Sequence, residues 1–216
     1  GPAGLNSAIE LGNMGFKVIL VDDKEKLGGK LLLQTHKFFG SEADCYAGTR
    51  GIDIAQILED KAESIENITI YRNASVVAIY KDKKAGILVD NKNYHLASFE
   101  GIVVSAGARE RSLAFDGNTL PGVYGAGAFQ TIVNRDQVKA AEKIFIIGSG
   151  NVGLIGAYHA LQAGINVAGI VEIADKISGY KVHADKIKRM GVPIYLSKTV
   201  VSVEGNGKVE QITVAD

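Results

Sequence analysis

At 216 residues, 46% hydrophobic and 22% charged, the chain has the length and apolar content for two modest globular domains. Its 24 Lys and Arg balance 24 Asp and Glu, so no net field favours nucleic acid or an anionic membrane surface. A single cysteine, Cys45, excludes an internal disulfide and a Cys-rich zinc or iron–sulfur site, and fits a reducing compartment.

The opening "GPAGLNSAIELGNMGFKVILVDD" predicts a helix over 3–14, stopped by Gly15, and a strand at "FKVILV". Gly28-Gly29 marks a turn, and "KLLLQTHKFFGSEADCYAGTRG" has no clean period and reads as loop. A helix follows over 52–63, with Ile54, Ile57, Leu58 and Ala62 on one stripe. Four short strands come next, at "ITIY", "ASVVAIYKD", "AGILVDN" and "NYHLAS", and "GIVVSAG" reads as a further, buried strand. "DGNTLPGVYGAG" is a Gly- and Pro-containing connector leading through 129–138 to the apolar strand "KIFII" and Gly148-Ser149-Gly150. A basic helix near 182–190 and strands around "PIYLSKTVVSVEG" and "VEQITVA" complete the chain. The apolar runs are strand-length, so no membrane-spanning helix is expected, and cytoplasm is the expected location.

Residues 150–172 lie over residues 1–23 without a gap: Gly1 meets Gly150, Gly4 meets Gly153, Leu5 meets Leu154, Ala8 meets Ala157 and Gly15 meets Gly164. A strand–turn–helix unit is therefore used twice. The second copy has a strand and Gly148 ahead of the shared motif, so by analogy the first expects a strand and one more glycine before Gly1. The fold class predicted is α/β, with two Rossmann-like βαβ domains, the first interrupted by a small antiparallel β insert. Glycines at such a corner let the main chain approach a pyrophosphate, and the N–H groups of the helix start face its charge. An acid after the next strand accepts from ribose hydroxyls; Asp22 and Glu172 are candidates. Glu172 would repel a 2′-phosphate, which predicts NAD rather than NADP at the second site. It sits one residue later than the position matching Asp22, so strand register decides whether the two acids are equivalent.

"GPAG", Asp22, "LGGK", a strand-rich insert, "VVSAGARE" and "GSGNVG" with Glu172, in that order, resemble the two-dinucleotide-domain flavoproteins of the pyridine nucleotide-disulfide oxidoreductase family. The resemblance implies an FAD-binding domain over 1–115, a connector over 116–142 and an NAD-binding domain over 143–216, with the family's Gly-Asp return to FAD lying beyond Asp216. It implies that Gly1, Pro2, Ala3, Gly4, Asp22, Asp23, Gly28, Gly29, Lys30 and Leu31 bind FAD. Val76 and Val77 would lie by its adenine, and Ala106 and Gly107 at the crossing point between domains. NAD would be held by Gly148, Gly150, Asn151, Val152, Gly153 and Glu172.

The family's redox cysteine pair is absent both after the first glycine pair, where "KLLLQTHKFFG" stands, and before the second glycine motif, where "GVYGAGAFQ" stands. Dithiol–disulfide exchange needs two thiols, so electrons would pass from NAD(H) and flavin directly to a small-molecule or protein acceptor. Thr35, His36 and Lys37 are the catalytic candidates, as a proton donor or an anchor for flavin oxygens if the family geometry holds, the other reading being a loop facing solvent. Cys45 reads as a small buried hydrophobe, His95 and His183 as surface residues, and His159 as lying at a domain or subunit face. No metal site is expected. "GARERSLAFDGNTLPGVYGAGAFQ" is similar to the alpha subunits of sarcosine oxidase, opine oxidase and hydrogen cyanide synthase. That similarity opens the alternative of a heteromeric amine or hydroxy-acid dehydrogenase subunit; a homodimer, and a regulatory subunit that binds nucleotides without turnover, are also open.

Overall fold

A computed structural model describes residues 1–216, which divide into two compact units, Gly1–Ala108 and Arg109–Asp216. In the first, helix α1 (Pro2–Asn13) leads through Gly15, at φ +87°, into strand β1 (Val18–Val21). A 3-10 helix (Gly29–Leu33) and a short helix α2 (Glu42–Cys45), capped by Ser41, precede α3 (Gly51–Glu63) and strand β2 (Ile68–Tyr71). β1 and β2 pair in parallel, Val18 opposite Ile68 through Val21 opposite Tyr71, as a βαβ crossover requires. Leu5 and Ile9 of α1 close a core with Leu27, Leu31 and the Ile54, Ala55, Leu58, Ala62 stripe of α3. The 3.6-residue period of that stripe is what places α3 against α1.

The β insert is a three-stranded antiparallel meander: β3 (Ala74–Tyr80), β4 (Lys84–Val89) and β5 (Asn93–Ser98). The centre of β4 is buried through Ala85, Gly86 and Ile87 in a row. The expected strand at "GIVVSAG" is not formed. Residues 101–107 form no regular element, are largely exposed and have no ladder partner, and Val103 and Val104 are 59% and 75% exposed. An apolar, β-branched run becomes a strand only where another strand completes its hydrogen bonds.

The second unit repeats the plan. Residues 115–123 form turns against its hairpin, and α4 (Ala126–Gln130) runs directly into a π-helical turn (Thr131–Arg135). Strand β6 (Lys143–Ile147) then precedes α5 (Asn151–Gln162) and β7 (Asn166–Val171), which pairs in parallel with β6 and with the short β8 (Ile194–Tyr195). Between β7 and β8 lies the basic helix α6 (Lys181–Arg189), which buries only Ala184 and Ile187 and pairs Lys181 with Asp185. β9 (Thr199–Glu204) and β10 (Gln211–Ala215) make an antiparallel hairpin, to which Asp116 adds a bridge at Ser202. Leu154, Ala157 and Ala160 of α5 form one core with Phe129, Val133, Val167, Ile170 and Ile187.

The sheet register resolves the offset between the two acids. β6 and β7 pair Ile144 with Val167 but Phe145 with Gly169, so Ala168 is bulged out. This extra residue brings Glu172 directly after β7, as Asp22 comes directly after β1. Each donates its N–H to the last residue of the neighbouring strand, Asp22 to Tyr71 at 3.0 Å and Glu172 to Tyr195 at 2.8 Å. The two acids are structurally equivalent.

Candidate functional site

In unit 1 the site is built where α1 begins. Gly1 is the N-cap, and Pro2, with no N–H to satisfy, opens the helix. The Leu5 N–H is the first to bond back, to the Gly1 carbonyl at 3.0 Å, so those of Ala3 and Gly4 stand ahead of the helical ladder. No side chain caps this end and no acid stands in the first turn, which leaves the positive end of the helix dipole open to an anion. A Cβ on Gly29 would come within 2.8 Å of the Gly1 Cα, so the two glycine turns meet main chain to main chain. Ser105 borders the same corner, its Oγ 2.8 Å from where a Gly4 Cβ would stand; Ala106 and Gly107 follow it, exposed. Main-chain donors in a cradle free of side chains suit a pyrophosphate, and the residues present fit an FAD diphosphate.

The remaining candidates of this unit are distributed as follows. Asp22 Oδ1 accepts from the Lys24 N–H at 3.1 Å, and its Oδ2 lies 3.7 Å from the Gly1 nitrogen, so the acid faces the glycine corner. Asp23 is exposed and paired with Lys24 at 2.7 Å; it lines a recess of about 470 Å³ with Asn73, Ser75, Asp90 and Asn91. Lys30 is exposed, whereas the Leu31 side chain belongs to the core. Val76 and Val77 lie exposed on β3. Lys37 is exposed and Thr35 half-buried. His36 is 5% exposed, stacked on Phe39 at 4.6 Å and Phe38 at 5.2 Å, and its Nδ1 accepts the Phe38 N–H at 3.1 Å. It is packed, not a solvent-facing loop residue. Cys45, expected to be buried, is exposed, because the four-residue α2 has no inward face.

In unit 2 the corresponding corner is Gly148-Ser149-Gly150, with Gly148 at φ +97°, where a side chain would be strained. α5 starts at Asn151 without a side-chain cap or a first-turn acid, and the Leu154 N–H is the first to bond back, to Gly150 at 3.0 Å. A Cβ on Gly153 would collide with the Gly148 carbonyl oxygen, so Gly153 is what allows the turn to close on the helix. Val152 is exposed beside it. The loop after β7 is tied to this corner: Gly179 N–H donates to the Ser149 carbonyl at 2.9 Å, and Tyr180 N–H to Asn151 Oδ1 at 2.7 Å.

Glu172 is 7% exposed and heavily bonded. Its Oε2 accepts from the Ser149 N–H at 3.0 Å, the Ser149 hydroxyl at 2.5 Å and the Ser178 hydroxyl at 2.8 Å; its Oε1 accepts from the Ala174 N–H at 3.1 Å. Burial works to raise this carboxyl. The hydroxyl of Ser149, the Ala174 N–H, the hydroxyl of Ser178 and the Ser149 N–H outweigh it and hold the carboxyl down at about 2. A bare main-chain corner with one acceptor position left on Oε1 fits a nucleotide diphosphate and one ribose hydroxyl.

Three residues of these corners carry no mark in the sequence reading. Ser149 is the middle residue of a motif whose outer glycines are the ones the turn demands, and its hydroxyl was the only available signal. Ser178 is 29 residues away in sequence and has no local signature. Glu110 accepts from the Ala126 N–H at 2.7 Å and the Gly127 N–H at 3.1 Å, filling with the chain's own carboxylate a helix start of the kind that α1 and α5 leave open. The remaining histidines stand apart: His95 is exposed against Tyr71, His159 is buried with Nδ1 2.9 Å from Asn134 Nδ2, and His183 is part-buried, its pKa lowered by burial and by Lys186. No three His, Cys, Asp or Glu side chains are grouped to hold a metal ion, and no helix is long and apolar enough to cross a membrane.

The family model described as pyridine nucleotide-disulphide oxidoreductase matches residues 1–216. Hydrogen cyanide synthase subunit HcnB of Pseudomonas protegens is 31% identical over 173 residues, covering 80% of this chain and 36% of that subunit. The alpha subunit of sarcosine oxidase from Rhizobium meliloti is 30% identical over 186 residues, covering 80% of this chain and 18% of that subunit. The chain thus spans about a third or less of the length of these relatives. The crystal structure of T. acidophilum thioredoxin reductase superposes with a TM-score of 0.77 at 20% identity, covering 99% of this chain and 67% of that one, and shares the fold.

Proposed function

The chain belongs to the pyridine nucleotide-disulphide oxidoreductase family, and from that premise we propose that it carries the paired dinucleotide sites of an FAD-dependent oxidoreductase that exchanges a hydride between NAD(H) and flavin. FAD and NAD, the cofactors of this family, supply the hydride-accepting and hydride-donating rings when bound. The chain's own part is binding and orientation. Ala3 and Gly4 of unit 1, and Asn151, Val152 and Gly153 of unit 2, offer N–H groups at uncapped helix starts to the two diphosphates. Asp22 offers a carboxylate to the adenosine ribose of FAD. Glu172 sets a fixed negative charge where a 2′-phosphate would stand, which supports NAD over NADP.

The observation that carries this reading is the equivalence of Asp22 and Glu172, each directly after the strand that follows a helix starting at an open glycine corner. With one cysteine, this chain has no attacking and resolving thiol pair, so the acceptor, a small molecule or a partner protein, takes its electrons directly. A second reading is favoured by the comparisons: the curated relatives are subunits of named oxidases and of hydrogen cyanide synthase. On that reading the chain is the alpha-type part of a heteromeric amine or hydroxy-acid dehydrogenase.

The test is to load the full chain with FAD and mix it anaerobically with NADH. Bleaching of the flavin absorbance band supports hydride exchange, and NADPH in parallel tests the Glu172 argument. FAD retention with no bleaching by either coenzyme rejects the exchange reaction and leaves the subunit reading, in which turnover depends on a partner.

A further inference from the structure

Glu172 is nearly filled by donors of its own unit. A carboxylate has about four acceptor positions. On Glu172, Oε2 already takes three donors and Oε1 one. The hydroxyl accounting is closed as well. Ser149 Oγ has one proton, given to Glu172, and accepts the Ser178 N–H at 3.1 Å; the proton of Ser178 Oγ also goes to Glu172.

We propose that Ser149 and Ser178 are positioning residues that hold Glu172 closed against its own loop, so that unit 2 offers a ribose one carboxylate oxygen in place of two. The inference rests on reading unit 2 as the NAD site. A ribose diol grips best when its hydroxyls reach both oxygens of one acid. In unit 2 such a grip requires displacing a serine hydroxyl from Oε2, so the nucleotide is held less tightly and leaves faster. This suits a coenzyme that is exchanged at every turnover. Ser178 is exposed and Ser149 fully buried, so the Ser178 side is where the ribose and the protein compete for Oε2.

The experiment is calorimetric titration of the full chain with NAD⁺, with stopped-flow displacement to read dissociation. Ser178→Ala vacates one acceptor position on Oε2 and is expected to bind NAD⁺ about three- to tenfold tighter, with the gain in slower dissociation. Ser178→Thr keeps the hydroxyl and restores the wild-type constants. In a Glu172→Gln background Ser178→Ala brings no gain, because there is no carboxylate oxygen to release. General damage to the loop weakens binding, so tighter binding separates the proposal from a purely structural role. Equal or weaker NAD⁺ binding by a Ser178→Ala protein that melts like the wild type overturns it. A wild-type chain that binds no NAD⁺ at all overturns the reading of unit 2 and the inference with it. The buried Ser149→Ala is not needed for the outcome, since the exposed pair of Ser178 variants decides it.

Discussion

Gly153 and Gly156 stand one turn apart on α5 and answer to different constraints. A Cβ at Gly153 would meet the Gly148 carbonyl oxygen, a main-chain atom that cannot move without opening the corner, whereas a Cβ at Gly156 would meet nothing within 4 Å. Gly153→Ala is expected to cost about 1–3 kcal/mol through overpacking and to abolish NADH binding in unit 2. Gly156→Ala is expected to be neutral or to stabilise by up to about 1 kcal/mol, the helix-propensity difference. Chemical denaturation and NADH titration of both variants check the pair. Glu172 gives the residue-scale prediction for pH. Folding lowers its carboxyl from the usual 4.5 to about 2, so the native state binds this proton less readily than the unfolded chain. Its contribution, on the order of 3 kcal/mol, is fully present above about pH 4.5 and drains away as pH falls toward 2. Glu172→Gln therefore melts below the wild type at pH 7, and the gap in melting temperature narrows through that acid window. A gap that stays constant down to the lowest pH at which both fold would show that the serine cluster does not depend on the charge.

At the scale of elements, α5 binds the corner to the core. Leu154 is fully buried among Ala157, Ile170 and Ile187, and a Cβ on Gly179 would meet its Cδ1 at 2.7 Å, so one side chain supports both the core and the loop that covers the helix start. Leu154→Ala is expected to cost about 2–5 kcal/mol in urea denaturation and to weaken NADH binding more than a core truncation remote from that loop. Most of these elements are legible in the sequence for a stated reason: glycine spacing marks the two corners, period 3.6 marks α3, and short apolar runs between Asp-, Lys- and Asn-containing turns mark the meander. What escapes has its cause elsewhere in the chain. The bulge at Ala168 that aligns Glu172 with Asp22 is a register event, decided by pairing with β6 and unmarked by residue type. Residues 101–107 have strand composition and no ladder, since composition does not supply a neighbour. Ser149 and Glu110 act through contacts 16 to 29 residues away in sequence, beyond the reach of any local pattern, and Ser178 reaches Glu172, 6 residues back, across a loop with no regular period.

At the scale of the molecule, the division between Ala108 and Arg109 falls within the one long stretch that has neither helix nor strand. Residues 101–114 make no regular hydrogen-bonded structure, and all but Ser105 are exposed. Both trypsin targets within it, Arg109 and Arg111, flank Glu110, whose carboxylate is held by the N–H groups of Ala126 and Gly127. A protease must draw out a segment of about ten residues to cut it, and the local free energy of doing so is lowest where backbone hydrogen bonds and buried apolar contacts are fewest. The competing site at Lys37 lies beside the packed His36–Phe39 stack, and its carbonyl accepts the Gly48 N–H at 3.1 Å. Brief trypsin treatment is therefore expected to nick first at Arg109 or Arg111 and to release two fragments of nearly equal mass. Glu110→Ala removes the anchor between the two arginines and is expected to speed that first cut several-fold while leaving later cuts unchanged. Mass spectrometry of early time points reads both, and a first cut at Lys37 in the wild type would place the weakest point of the chain inside unit 1 instead.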